Sequence, residues 1–361
     1  MYKIDICMSS DDNYIPYMCT TICSILKNSY NDDYHIFHII NDGISYDSKN
    51  KIDSLKKIKE FEIKYYTPNI KKYNMWFNKL TNKAHFSPAM FFRLDIPYLI
   101  DNLDKIIYLD SDTIVNKSLR NLNNIDILNY YLIAARKGYI SEQCISDKNK
   151  IGLSENHTYF NSGVLVFNIK KWKEDNIDNI INNFMNNQDF LLYGDQHILN
   201  AVFKDTTKFI SEDYNYLCIK STTRNQLMNC DDISIFHFCT DQKPWNIYCQ
   251  NLIYTEKWWE YFFMTPFFNE NIGKYIEILV NQKINNILYN DINNLNNKII
   301  KLTDNTENTI NKLIDSIAWW IPVKKWRDNF RNKIFNTDQT RPDQTRPDQT
   351  RPDQTRPDHI R

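Results

Sequence analysis

Short apolar runs alternate with helix-spaced apolar positions along the first half of the chain. Lys3 to Ser9 reads as a strand. Tyr17 to Leu26 reads as a helix after Pro16, because Met18, Ile22, Ile25 and Leu26 fall on one face at steps of three and four. Tyr34 to Ile40 is again strand-like, Ser45 to Ile58 helix-like and Phe61 to Tyr66 strand-like. Ser87-Pro88 marks a helix start, with the serine as cap and the proline in the first turn. Lys105 to Leu109 is a strand that runs straight into Asp110-Ser111-Asp112. Elements in that order predict an α/β fold: a mainly parallel sheet flanked by helices, with ligands bound beyond the carboxyl ends of its strands. Both acidic clusters, Asp11-Asp12-Asn13 and Asp110-Ser111-Asp112, fall at such ends.

Further on, Gly163 to Ile169 reads as a strand, Lys171 to Asn187 and Gly194 to Phe203 as helices, and Ile233 to Phe238 as the last core strand. From Asn271 onward Gly and Pro nearly vanish. Ile276, Val280, Ile284, Leu288, Ile292, Leu295, Ile299 and Leu302 then recur at helical spacing, followed by a second helical pattern from Ile310 to Ile317. Beyond Pro322, Val323, Trp326, Phe330 and Ile334 share a helical face with Lys324, Lys325, Arg327, Arg331 and Lys333 largely off it. That pattern, with Trp319 and Trp320 beside it, suits an anionic membrane surface, and it also suits a helix docked on a core. Asp338 to Pro357 is the pentapeptide Asp-Gln-Thr-Arg-Pro four times over, without a large apolar side chain with which to build a core. The expected organisation is a catalytic domain over 1–270, a helical, basic and aromatic region over 271–336, and disordered repeats over 337–361.

Composition narrows the function classes. The 361 residues carry no formal net charge, which leaves no long-range field to gather nucleic acid, so no nucleic-acid partner is expected. No run approaches the length of a membrane span, and Lys3 and Asp5 interrupt the apolar N-terminus, so a cytoplasmic protein is expected. The eight cysteines are scattered without a close CxxC pair or a repeated spacing and read as reduced, mostly buried thiols.

Asp110-Ser111-Asp112 carries the candidate chemistry. Two carboxylates one residue apart at a strand end can both reach a hard divalent cation, which can neutralise a diphosphate leaving group. A solvated turn is the alternative reading of the same three residues.

Several segments, in order, resemble glycosyltransferase family eight, the bacterial lipopolysaccharide galactosyl- and glucosyltransferases that share a fold with glycogenin. They are Ser10-Asp11-Asp12-Asn13-Tyr14, His85 with Arg93 eight residues on, Tyr108-Leu109-Asp110-Ser111-Asp112 and Tyr159-Phe160-Asn161-Ser162-Gly163-Val164-Leu165. Gly194-Asp195-Gln196-His197-Ile198-Leu199-Asn200 and His237-Phe238-Cys239 followed by Lys243-Pro244-Trp245 complete the set. The resemblance covers roughly residues 1 to 270 and implies a GT-A type, Rossmann-like nucleotide-binding domain. It also implies a metal site of Asp110, Asp112 and His237, for which an imidazole beside two carboxylates suits Mn2+.

The same resemblance assigns the remaining residues. Asp11 would accept a hydrogen bond from uracil, Tyr14 would stack on it and Asn13 would contact ribose. Ser9, His85 and Thr240 would complete the donor site. Lys243 would hold phosphate, Arg93 would reach the diphosphate side, and Asp195 would accept from sugar hydroxyls. Asn161 and Gln196 would flank the anomeric carbon. Three departures bear on donor preference: Ala134-Ala135-Arg136-Lys137 where an acidic residue is usual, Thr240 in place of a glycine, and His197 where an aspartate is common. The implied activity is retaining transfer of galactose or glucose from a UDP-sugar to an oligosaccharide or glycolipid acceptor, such as a lipopolysaccharide core. The enzyme would lie on the inner face of the cytoplasmic membrane. A UDP-sugar hydrolase and a non-catalytic saccharide- or membrane-binding protein are the alternatives.

Overall fold

The protein is described from a computed structural model. It covers residues 1–80, 87–136, 151–187 except 155, 194–219, 227–319 except 248, 250 and 251, and residues 324 and 328. His85, Lys137, the basic and aromatic segment after Trp319 and the pentapeptide repeats lie outside these residues, Lys324 and Asp328 apart.

In chain order, β1 (Tyr2–Asp11) leads to α1 (Ile15–Lys27), β2 (Asp33–Asp42), α2 (Tyr46–Asp53), β3 (Phe61–Tyr66) and α3 (Ile70–Phe77). A 3-10 helix over Pro88–Asp95 passes into α4 (Ile96–Leu99), then β4 (Lys105–Leu109), β5 (Thr113–Val115), α5 (Arg120–Asn123), β6 (Leu132–Ala135) and β7 (Val164–Asn168). The rest is α6 (Ile169–Glu174), α7 (Ile177–Asn186), α8 (Gly194–Val202), β8 (Thr207–Ile210), β9 (Tyr216–Leu217), β10 (Ile235–His237), α9 (Thr255–Phe262), α10 (Pro266–Glu270) and α11 (Ile272–Trp319).

Seven strands form one sheet in the order β3-β2-β1-β4-β7-β6-β8. It is mainly parallel as expected; β7 alone runs against its neighbours β4 and β6. β1 is largely buried on both faces, and its middle, Ile6-Cys7-Met8, is accordingly a continuous apolar run. Ile4, Ile6 and Met8 point into the core cluster shared with α1 and α9, and Cys7 into the opposite cluster with Tyr73, Phe91 and Trp172.

The structure corrects four local expectations. The helix expected over Ser45 to Ile58 is α-helical only to Asp53 and continues as a 3-10 turn to Lys57. The segment from Lys171 to Asn187 is two helices, because Asn176 adopts φ 51°, a left-handed conformation that breaks the hydrogen-bond ladder. Ser87 is extended at the cap position but its side chain makes no cap bond, and Pro88 opens a 3-10 rather than an α-helix. Ile233 to Phe238 shortens to Ile235–His237, which leaves the main sheet for a second one, β5-β10-β9.

That small sheet is held by a polar stripe on α1. Thr21 donates to Ser111 O and Thr113 O, Ser24 Oγ accepts from Val115 N–H, and Asn28 donates to Val115 O. Two buried polar side chains of α1, with the half-buried Asn28 that caps it, therefore fix the backbone on either side of Asp112.

The chain divides into two compact units. The first, Met1–Asn286, extends past the expected boundary at residue 270 because Tyr275 and Ile278 join the core and Gln282 donates to Pro244 O at 2.7 Å and Asn246 O at 2.6 Å. The second begins at Ile287 and contains the remainder of α11, a single helix where the apolar spacing suggested two. Among the described residues no helix is long and apolar enough to cross a membrane.

Candidate active site

β1 and β4 lie side by side and parallel, so their carboxyl ends bring Asp11 and Asp110 to the same edge of the sheet. Asp110 N–H donates to Gly163 O at 2.8 Å and Phe238 N–H to Asp112 O at 3.0 Å, which ties the acidic loop to β7 and β10. This backbone lattice brings His237, over a hundred residues away in sequence, to the two aspartates. Its Nε2 is 3.1 Å from Asp112 Oδ1 and 3.7 Å from Asp110 Oδ2.

A backbone amide decides the chemistry of that imidazole. Gly163 N–H donates to Asn161 at 3.0 Å, so the accepting atom is Oδ1 and the other end of the amide is Nδ2, which donates to Gln196 Oε1. Asn215 Nδ2 donates to the same Asn161 Oδ1 at 3.0 Å, which leaves Asn215 Oδ1 facing His237 Nδ1 at 2.8 Å. Nδ1 must then carry a proton, so in the neutral imidazole Nε2 presents the lone pair. Asp112 Oδ1 is buried without a hydrogen-bond donor and faces that lone pair.

Two acceptors directed at each other are stabilised by a cation between them, so these residues fit a divalent metal; one ligand atom from each of Asp110, Asp112 and His237 lies within 4.8 Å of the others. Gly163 leaves the space: a Cβ there would stand 2.1 Å from His237 Cε1 and 2.6 Å from Asp110 Oδ2. The expected trio thus converges.

Two cations frame it. Lys243 Nζ donates to Asp112 Oδ2 at 2.6 Å and to Phe238 O at 2.7 Å. Burial opposes the charge on both partners. Lys243 nevertheless holds Asp112 below the usual carboxylate range, and Asp112 holds Lys243 above its ordinary value. Arg93, 5% exposed, lies 2.8 Å from Asp110 Oδ1 and 3.1 Å from Asp195 Oδ2, with its guanidinium over the Tyr108 ring at 4.4 Å. Burial works against its charge too, and the two carboxylates outweigh it and raise its pKa. Arg93 is therefore a buried clamp and not a surface ion-pair partner. Burial, with Asp110 adding, pushes Asp195 up to about 6 despite the opposing Arg93.

Most of the other residues expected at a donor site lie on two cavities that share Tyr14, Met90, Arg93, Asp110 and Asp112. One, of about 410 Å³, is lined by Ser9, Asp11 and Ser111; the other, of about 470 Å³, by Asn161, Asp195, His237, Thr240 and Lys243. Asp11 caps the following 3-10 turn by accepting from Tyr14 N–H at 3.0 Å while still lining its cavity. Ser9 Oγ is 2.8 Å from Tyr108 OH, which in turn donates to Asp110 Oδ1. Asn13 is exposed and lines neither cavity. Gln196 lines neither as well: its Oε1 accepts from Asn161 Nδ2 and Ser162 N–H, and its Nε2 donates to Tyr159 OH. Thr240 Oγ donates to Gln242 O. Asn215 has no sequence signal, since a lone Asn before a two-residue strand carries no pattern.

The glycosyl transferase family 8 model matches residues 5–249. A Haemophilus influenzae protein provisionally named a glycosyltransferase is 36% identical over 255 residues, covering 69% of this chain and 75% of that protein. The lipopolysaccharide 1,2-glucosyltransferase of Escherichia coli K12 is 26% identical over 260 residues, covering 67% and 73%. The crystal structure of the galactosyltransferase LgtC with donor and acceptor sugar analogues superposes with a TM-score of 0.64 at 26% identity, covering 73% of this chain and 96% of that one. The chain belongs to glycosyltransferase family 8.

Proposed function

We propose that the chain is a retaining hexosyltransferase that moves galactose or glucose from a UDP-sugar to a saccharide acceptor, with Mn2+ held by Asp110, Asp112 and His237. The observation that carries this reading is the convergence of those three ligands with Lys243 and Arg93 on adjoining cavities at the ends of β1 and β4. A bound divalent cation supplies charge neutralisation for a diphosphate leaving group. Lys243 adds a point charge for the phosphates, Tyr14 and Asp11 hold the base, and Asp195 beside Arg93 accepts from sugar hydroxyls. Gln196 Oε1 already accepts two hydrogen bonds, which makes it a weak nucleophile even for an amide. Attack by the acceptor hydroxyl on the same face is the better chemistry: its oxygen bonds to the anomeric carbon, the bond from that carbon to the β-phosphate oxygen breaks, and the hydroxyl proton passes to the departing oxygen.

The lipopolysaccharide activity in the name of the Escherichia coli relative supports a core oligosaccharide as acceptor. The basic and aromatic sequence from Trp319 to Phe335 supports a peripheral site of action at the inner face of the cytoplasmic membrane, with an anionic lipid surface as partner. The test is incubation of the full chain with UDP-galactose or UDP-glucose, Mn2+ and a panel of lipooligosaccharide acceptors, followed by NMR of the product. An α-linked hexose is expected. Free hexose without acceptor product assigns hydrolysis instead, and a β linkage removes the retaining mechanism.

A further inference from the structure

The second unit presents an apolar row that the described residues leave exposed. Leu288, Ile292, Leu295, Ile299, Leu302, Ile310 and Leu313 on α11 are each between 50% and 66% exposed. The steps along the first five are four, three, four and three, the 3.5-residue average that keeps one seam facing a partner helix. The chemistry alternates with the steps: Leu288, Leu295 and Leu302 occupy one set of seam positions, Ile292 and Ile299 the other. Isoleucine at the first core position of a heptad and leucine at the fourth is the combination that packs two parallel strands. Thr306 and then Ile310 and Leu313 continue the row with one extra step of four, a shift that locally unwinds a supercoil without ending it.

We infer that this face binds a second copy of the same chain, in register, as a parallel two-stranded coiled coil over Leu288–Leu313. The row is narrow over its middle, where Asn293, Asn294, Asn296 and Asn297 surround it, and it is widened only by the exposed Ile287 and Ile300 beside Leu288 and Ile299. Charge favours a copy of itself over an anionic surface, since Lys298, Lys301 and Lys312 are matched by Asp291, Asp304 and Glu307. The residues flanking the seam, Asp291, Asn296, Lys298 and Thr303, place no like charges opposite each other in a parallel pair. Area is sufficient as well. Each half-exposed Leu or Ile presents on the order of 100 Å². Seven give roughly 700 Å² per copy over a helix of roughly 40 Å, close to the share of one partner in a stable interface.

Light scattering and sedimentation velocity on the full chain at micromolar concentration test the inference. The expected mass is twice the 43.4 kDa of one chain, and Leu295→Asp with Ile299→Asp should return it to the single-chain mass with the melting of the first unit unchanged. Leu302→Cys should crosslink to a dimer on mild oxidation while the unsubstituted chain does not, because a parallel in-register pair places that position against itself. A single-chain mass for the unsubstituted protein overturns the inference, as does a dimer that the double variant leaves intact. A dimer in which Leu302→Cys fails to crosslink overturns the parallel register. A monomer that pellets with phosphatidylglycerol vesicles, and loses this in the double variant, assigns the face to lipid and overturns self-association.

Discussion

His237 Nδ1 lies 2.8 Å from Asn215 Oδ1, and the identity of that oxygen is fixed by Gly163 N–H acting through Asn161. The imidazole that would hold the metal is thus oriented by a hydrogen-bond chain beginning in the backbone of β7's entry turn, and the same chain ends on Gln196. The proposed metal ligand His237 and the proposed donor-side residue Gln196 are thus linked through two asparagines.

Asn215→Ala should therefore weaken Mn2+ binding about 10- to 100-fold, the usual cost of losing a group that orients a metal-bound histidine. Asn215→Asp, which keeps an acceptor for Nδ1, should lose much less. Calorimetric titration of Mn2+ against the two variants checks this, and equal affinities would remove the orienting role.

Gly163→Ala should abolish tight metal binding while leaving the fold in place, since the added methyl falls 2.1 Å from His237 Cε1 and 2.6 Å from Asp110 Oδ2. Unchanged far-UV circular dichroism with at least about tenfold weaker Mn2+ affinity is the expected pair of results.

Asp110→Asn and Asp112→Asn each remove one ligand charge at nearly constant volume. UDP-hexose turnover should fall about 100-fold or more in both, in keeping with the several kcal/mol that a cation contributes at a developing diphosphate. Asp112→Asn should also cost stability, because Lys243 is held beside it away from water. Near-normal Mn2+-dependent rates in both variants would refute the metal site.

Asp195 titrates at about 6 in the folded chain against an ordinary 3.8, chiefly through burial. The folded state binds this proton more tightly than the unfolded chain does. Ionising the carboxyl therefore costs stability, a cost absent below about pH 4 and fully present above about pH 6, of at most about 3 kcal/mol. Between pH 4 and pH 7 the metal-free protein should lose melting temperature relative to Asp195→Asn, in which this ionisation is missing. With Asp195 in its proposed role as acceptor from the sugar, the acid limb of the hexosyl-transfer profile should have its midpoint near pH 6. Parallel melting curves of the two proteins across that range would show that Asp195 is not the group responsible.

The α/β class, the parallel strands and the position of both acidic clusters were legible in the residues themselves, because buried parallel strands leave continuous apolar runs and their ends leave polar ones. The motifs around Asp110, Asn161, Gly194 and His237 were legible for a similar reason, since each is a short local segment. Three things were not. Antiparallel β7 and the separate β5-β10-β9 sheet depend on pairings between residues far apart in sequence, and no local spacing encodes those. Asn176 breaks a helix whose apolar spacing continues across it. The role of Asn215 arises only when folding places an ordinary asparagine between His237 and Asn161. Local periodicity is set by neighbours along the chain. The tautomer of a histidine, the buried charge on Arg93 and the raised pKa of Asp195 are set by neighbours in space, and only the tertiary structure decided those.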